Sequence, residues 1–341
     1  MQKVHVHQAV GMVLCHDITQ IIPGEFKGRA FKKGYVIKEQ DIPKLLELGK
    51  EHIYVWSPDS DMVHENEAAE RIARAAAREG IVLTEPNQGR VSLIAEYDGL
   101  LQVSVRVLEQ VNVIEQVVLA TLHNHYLVKK GQTVAGTRVI PLVIEENKIS
   151  QVENICSSQD GIIRVRPFRK VEVGMVTTGN EVYYGRIKDG FGPAVKKKIQ
   201  EYNSQVMDQI IVPDSPEAIV AAIKELVARG VDIIVVTGGM SVDPDDVTPL
   251  GIRLAGAEVI SYGAPVLPGS MTLLAYLGEI PILGLPGCVM YCKNTVFDLL
   301  LPRILAGEKI TREEMIRMGH GGLCLECQTC SFPACPFGKG C

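Results

Sequence analysis

No block of Lys and Arg runs through this sequence, and its formal net charge is −5. Phosphate backbones are gripped by clustered cations, so nucleic acid is excluded as the main partner. Lys196, Lys197 and Lys198 form a local exception; they suit a small anionic ligand or, more commonly, a solvated helix face. No apolar run approaches the ~20 residues that span a bilayer. The N-terminus, MQKVHVHQAVG, lacks the apolar stretch of a secretory signal. A soluble, cytoplasmic protein without a membrane partner is therefore expected. In a reducing compartment nine cysteines point to metal or thiol chemistry rather than to structural disulfides. Five of the nine fall in the last 18 residues, an asymmetry that needs its own explanation.

What is present is enough for a substantial core: 46% of the residues are apolar, and 341 residues suggest two or three domains. Residues 1–57 read as a small α+β module, with a helix over 42–48, a strand over 52–56 and a turn at 57–59. Residues 58–168 read as a strand-rich α+β domain with antiparallel strands. Its Ala-rich, charged segment 65–78 is helical material, and the alternation over 101–107 predicts a half-buried strand. The pattern changes at about residue 169. The nearly continuous apolar run 171–177 predicts a buried parallel strand. A helix over 195–209, a strand over 210–212, a helix capped by Ser215 with Pro216 in its first turn and closed by Gly230, and a strand over 233–236 follow. This alternation over 169–310 predicts an α/β domain in three layers, a parallel sheet covered on both faces, with ligands at the carboxyl ends of the strands. Residues 311–341 form a tail that opens with a charged helix over 312–318 and continues into the cysteine cluster.

Two of the parallel strands end alike, in Thr177-Thr178-Gly179-Asn180-Glu181 and in Thr237-Gly238-Gly239-Met240-Ser241. Small residues and free N–H groups at a sheet edge suit a phosphate, although each loop alone reads equally as a turn that needs glycine. A side chain at Gly239 is expected to block a ligand and leave the fold intact. Asp243, Asp245 and Asp246 follow, three carboxylates in four residues, which repel one another unless a cation sits among them. They suit Mg²⁺ or the positioning of a water, or a solvated turn in which Asp246 or Thr248 caps the next helix. Leu267-Pro268-Gly269-Ser270 and Gly284-Leu285-Pro286-Gly287 complete the set. The second opens a helix at about residue 289, whose positive end suits a phosphate.

Taken together and in this order, TTGNEV at 177–182, NSQV at 203–206, TGGMSVDPDDVTP at 237–249, LPGS at 267–270 and GLPG at 284–287 resemble the molybdopterin-binding domain of molybdopterin molybdotransferases, gephyrin and molybdopterin adenylyltransferases. The resemblance covers residues 171–305, and the large preceding region makes the layout closer to the molybdotransferase and gephyrin type. It implies that Thr178, Gly179, Asn180, Gly238, Gly239, Ser241 and Asp243 hold the pterin and its phosphate. Pro268, Gly269 and Ser270 complete the site, with Pro286 and Gly287 as its far wall. It further implies acidic roles for Glu181 near the metal site and Asp246 at the catalytic step, with pterin and molybdate as substrates, Mg²⁺, a homodimer and a molybdoenzyme client. The expected function is molybdenum-cofactor biosynthesis, with binding of adenylylated molybdopterin and insertion of molybdate. The alternative is a non-catalytic carrier or sensor of finished cofactor. Three departures bear on this choice. Asp243 stands where the family has Gly, Leu267 and Ser270 stand where molybdotransferases place lysines that attract molybdate, and Cys288-Val289 replaces Asn-Pro.

His5 with His7, and His123 with His125, share a spacing that suits a metal, but histidines without a ligand role are the commoner case. In the tail, Cys324, Cys327 and Cys330 run as C-x₂-C-x₂-C and Cys335-Pro336 follows. This lies one residue from the bacterial ferredoxin pattern, so a [4Fe–4S] cluster is expected ahead of Zn²⁺, with Cys341 as a spare ligand and a disordered redox-active tail as the remaining option.

Overall fold

A computed structural model describes residues 2–22, 26–55, 61–159, 161–241, 243 and 246–340. The turn expected at 57–59, the last residue of the 52–56 strand, Asp245 and Cys341 lie outside the described residues. The chain divides into two compact units. One comprises Met1–Ala95, Ser104–Leu122 and Gly131–Arg164, and the other Glu96–Val103, His123–Lys130 and Val165–Cys341.

In the first unit, Gln2–His5 pairs antiparallel with His52–Val55 beside the helix Ile42–Glu47. Val4, Val6, Leu14, Ile37, Leu45 and Ile53 form their core. A four-stranded antiparallel sheet is built from Ile81–Leu83, Arg90–Ala95, Thr133–Val139 and Val117–Thr121. The helix Glu65–Ala76 packs on it through Ala68, Ala69, Ile72, Ala73 and Ala76, whose small side chains allow close approach. The half-buried strand expected over 101–107 is only partly present: Gly99–Val103 is a strand, and Val105–Asn112 is a helix. Ser104 divides them, its carbonyl accepting from Leu108 N, and Val107 and Val111 bury one helical turn apart, a period the alternation concealed.

The second unit is the α/β domain. Its strands are β1 (Glu172–Thr178), β2 (Gln205–Val212), β3 (Ile233–Thr237), β4 (Glu258–Tyr262), β5 (Leu273–Leu277) and β6 (Ile280–Leu285), in the order β2-β1-β3-β6-β5-β4. The first four strands in this order run parallel; β5 and β4 run antiparallel to their neighbours. The sheet is thus mixed rather than wholly parallel, because only Gly278 and Glu279 separate β5 from β6, far too few residues for a crossover. Alternate residues face opposite layers. Val173, Met175, Val235 and Leu283 meet α1 (Phe191–Gln200) and α4 (Val296–Leu305) on one side. Val176, Ile234, Val236 and Ile282 meet α2 (Pro216–Ala228) and α3 (Thr248–Leu254) on the other. This is the expected three-layer α/β arrangement.

Local corrections follow side-chain chemistry. The helix expected over 195–209 is α1, which starts earlier because Asp189 accepts from Phe191 N and Gly192 N. It stops earlier because Asn203 adopts φ 54°, and β2 claims the rest. Ser215 caps α2 as expected, accepting from Ala218 N at 3.3 Å. The stretch after Gly287 is a 3₁₀ turn, Gly287–Met290. The α-helix α4 starts only at Val296, where Thr295 and Asp298 form a capping box.

The tail begins with α5 (Arg312–Arg317) and packs on this domain: Met315, Met318 and Phe337 belong to its core. Arg303, 4% exposed, anchors the junction through ion pairs with Glu308 at 2.5 Å and with Glu314. Burial alone would raise the Glu308 carboxyl. The hydrogen bond from His125 and the charge of Arg303 outweigh it and hold the group at about 2. A depressed folded value stabilises the fold above the unfolded value of about 4.5 and is lost as pH falls towards 2. Denaturant titrations should therefore show Glu308 contributing about 3 kcal/mol at neutral pH that disappears between pH of about 5 and 2. Glu308→Gln should flatten that acid limb; an unchanged limb would contradict the assignment.

Candidate functional site

The site is fixed by strand register. Thr177 pairs with Thr237, and Thr237 pairs with Leu285. Three parallel strands therefore end side by side and release Thr178-Gly179, Gly238-Gly239 and Pro286-Gly287 onto one edge of the sheet. The segment joining β4 to β5 carries Pro268, Gly269 and Ser270 at the same edge, since β4 runs towards it and β5 leaves it. Thus the loops singled out from sequence converge at the carboxyl ends of the strands, where doubly wound sheets take ligands.

Beneath the edge lies a layer of buried hydroxyls. Thr177, Thr178, Thr237 and Thr248 are each 2% exposed or less. Thr248 donates to Gly238 O at 2.8 Å and lies 3.2 Å from the Thr178 hydroxyl. Thr237 donates to Thr177 at 3.2 Å, and Gln209 bridges Thr177 and Asp189 at 2.9 and 2.6 Å. Each buried oxygen is thereby paired, which a β-branched residue without a hydroxyl could not provide. Asp214, at the end of β2, accepts from Asn180 N at 2.9 Å and steers the turn after Gly179. Neither Gln209, Asp189, Asp214 nor Thr248 stands out as site-forming in the sequence; only the side-by-side strand ends reveal why they matter.

The glycine pair has a structural cause. Gly238 lies at φ 86°, and a Cβ there would stand 2.1 Å from Thr178 O; at Gly239, φ 55°, a Cβ would stand 2.7 Å from the Thr248 hydroxyl. A valine at Gly239 would therefore strain the fold itself, contrary to the expectation that it acts on ligand alone. Gly287 differs: it is exposed, and a Cβ would meet nothing nearer than Met290 Cε at 3.9 Å.

The acidic residues sit around this rim. Glu181 is exposed on the short helical turn Asn180–Tyr183. Asp246 accepts from Asp243 N at 3.1 Å, and Asp243 O accepts from Asp246 N, so the two close one turn. Asp246 therefore does not cap α3, whose N-cap is Val247 with no side-chain bond. Tyr262 donates to Met240 O at 3.1 Å and holds the loop carrying Ser241. Burial, then the nearby Asp246 carboxylate, push its phenol above the usual range. Leu267, one of the two positions without the expected lysine, is held by two backbone bonds to the tail: it donates to Gly322 O and accepts from Cys324 N, both at 2.8 Å.

The other candidates separate from this edge. The His5 and His7 rings stack 5.3 Å apart in the first unit, with His5 ending a strand and His7 on the 3₁₀ turn that follows. His125 pairs with Glu308 at 3.3 Å. Among the described residues no three His, Cys, Asp or Glu side chains converge tightly enough to hold a metal ion. No helix among them is long and apolar enough to cross a membrane.

These features define an α/β domain whose sheet carries glycine loops and acidic residues along one edge. Residues 174–306 match the family described as "probable molybdopterin binding domain". Residues 3–57 match a domain of unknown function, DUF8806. The chain is 24% identical over 176 residues to the molybdopterin molybdenumtransferase of Synechococcus elongatus, covering 49% of this chain and 44% of that protein. It is 38% identical over 88 residues to a CinA-like protein of a Mycobacterium species, covering 26% and 21%. It therefore spans less than half the length of these curated relatives. Among solved structures, the molybdopterin biosynthesis enzyme MoaB of Thermus thermophilus aligns at 22% identity over 41% of this chain and 98% of that one, with a TM-score of 0.33.

The packing makes a direct prediction. Gly238→Ala should cost about 3 kcal/mol of stability, because its Cβ meets backbone that cannot rotate away, whereas Gly287→Val should stay within about 0.5 kcal/mol of the parent. Equal denaturation midpoints for the two variants would refute this division of roles.

Proposed function

We propose that this domain binds adenylylated molybdopterin along the carboxyl edge of its sheet and inserts molybdate, as a step in molybdenum-cofactor biosynthesis. The observation that carries this reading is the register Thr177–Thr237–Leu285. It brings Thr178, Gly179, Asn180, Gly238, Gly239 and Ser241 to one rim with Pro268, Gly269, Ser270, Pro286 and Gly287; because the Asn180 N–H is held by Asp214, the anion role falls to backbone N–H groups of the glycine turns. Such groups suit the pterin's phosphate, and exposed Gly287 leaves room for the ligand. Asp246 and Glu181 take the catalytic roles. Mg²⁺ binds through one or two carboxylates together with substrate phosphates and waters. Asp243 and Asp246, closing one turn at the rim, fit that donor set. A homodimer, and a molybdoenzyme that receives the product, belong to the same reading. For the tail it assigns a [4Fe–4S] cluster or Zn²⁺ to Cys324, Cys327, Cys330 and Cys335.

The carrier reading has an observation of its own. Leu267 and Ser270 offer no cation for molybdate, and Leu267 is tied into the tail by both of its backbone groups. A domain that holds finished cofactor needs no molybdate-attracting lysine.

Kinetics separates the two. A residue acting at the chemical step affects turnover more than ground-state binding. Asp246→Asn should keep its affinity for adenylylated molybdopterin within a few-fold and lose molybdate-dependent hydrolysis by at least ~100-fold, while Gly287→Val should lose affinity with its fold intact. Wild-type protein that binds the compound but never turns it over, with molybdate and Mg²⁺ supplied, would establish the carrier.

A further inference from the structure

The tail closes a second cavity, which meets the pterin rim only at Pro268. Its volume is about 440 Å³, and five cysteines line it: Cys324, Cys327, Cys330 and Cys335 from the tail and Cys292 from the loop between β6 and α4. All five are unbridged. Thiols gathered around one space in a chain with no disulfide among its described residues call for a soft metal.

The walls are fixed independently of any metal. Leu267 and Leu323 form a parallel bridge, Gly338 N donates to Gly321 O at 3.0 Å, and Phe337 is 3% exposed in the domain core. Cys324 and Cys335 are half-buried against that core, whereas Cys327 and Cys330 are exposed. The tail is thus pinned at both ends and loops outward between them, so its middle thiols can swing without disturbing the fold. Asn294 Nδ2 donates to Cys330 Sγ at 3.0 Å. An amide aimed at a sulfur is the kind of contact that stabilises a metal-bound thiolate. Lys293 also lines the cavity, a cation beside the negative charge that ligated thiolates would carry.

Ligand spacing decides the metal. Structural zinc sites more often draw on two separated C-x₂-C pairs. The run C-x₂-C-x₂-C at Cys324, Cys327 and Cys330 is instead the ferredoxin spacing for three ligands of one cluster, and Cys335 lines the same cavity as a fourth thiol. We propose that this cavity holds a [4Fe–4S] cluster ligated by Cys324, Cys327, Cys330 and Cys335, with Cys292 as the wall thiol and Asn294 as a hydrogen-bond donor to the Cys330 sulfur. Assembled from two ferrous ions, two ferric ions and four sulfides, the [4Fe–4S]²⁺ core forms with no net change of oxidation state; each ligating thiol loses its proton and its sulfur donates an electron pair to one iron. This assignment does not depend on the pterin reading, since none of the ligands belongs to the glycine loops.

The test is anaerobic purification of the full chain, followed by reconstitution with ferrous and ferric iron in equal amounts and sulfide, and assay of iron, sulfide and zinc. The expected result is about four irons and four sulfides per chain with broad absorbance near ~400 nm that bleaches on reduction. Cys327→Ser and Cys330→Ser, both at exposed positions, should lose the cluster while keeping the denaturation midpoint of the metal-free parent. Cys156→Ser, in the other unit, should retain it. Asn294→Ala should keep the iron but lower the cluster's reduction potential, because the lost hydrogen bond favoured the more negative reduced state. About one zinc and no iron, iron retained at parent level in both tail variants, or no metal with every tail thiol alkylated would overturn the proposal. Pterin affinity measured on the same samples reports on the other site separately.

Discussion

Three parallel strands that stop level with one another are the constraint on which the second unit depends. Thr177 stands beside Thr237, and Thr237 beside Leu285. A slip of one residue in either pairing would turn Val173, Met175 and Val235 towards the wrong helices. The buried valines and isoleucines therefore fix the register, and the register fixes the loops. The two opposite layers, Phe297 and Leu300 on one face and Ile219 and Ile223 on the other, enforce it from both sides.

Everything at the edge is then a matter of close approach. Gly238 and Gly239 let one strand-end loop press on the next, and the hydroxyls of Thr178, Thr237 and Thr248 pair the polar atoms that this contact buries. The cost of such a dense polar layer is tolerated where it holds backbone N–H groups in fixed positions. The acidic turn of Asp243 and Asp246 lies at this rim, and Leu267 is tied to the tail by both of its backbone groups; in the proposed reading the turn takes a cation and Leu267 leaves molybdate without a cationic partner.

Much of this is legible in the residues. The apolar runs, Ser215 with Pro216, and the ordered glycine motifs are local signals, and they place the three-layer domain and the loops that converge on one edge of its sheet. Signals that mix two periods mislead: Leu101 to Val107 alternates across a junction at Ser104, and the stretch after Ile199 has helical composition but is broken at Asn203. The sheet's antiparallel edge is hidden because a two-residue turn at Gly278 leaves no mark in the flanking apolar strands. The structural role of Gly239 is hidden too, since only the folded chain brings Thr248 against it. The tail's sequence shows no pattern of apolar anchors. Met315, Met318 and Phe337 are too widely spaced to form one, and their burial is set by a core contributed by other elements. Cys292 and Asn294 likewise gain meaning only once the tail folds back beside them.

Amide hydrogen exchange on the anaerobically purified chain, with and without molybdopterin, tests the central claim most directly, because local protection reports where the ligand orders backbone. The account predicts slowed exchange in residues 178–181, 238–241, 267–270 and 286–287, with the opposite, amino-terminal edge of the sheet unchanged. Bound pterin that leaves those four loops unprotected, or protects a different face, would contradict it.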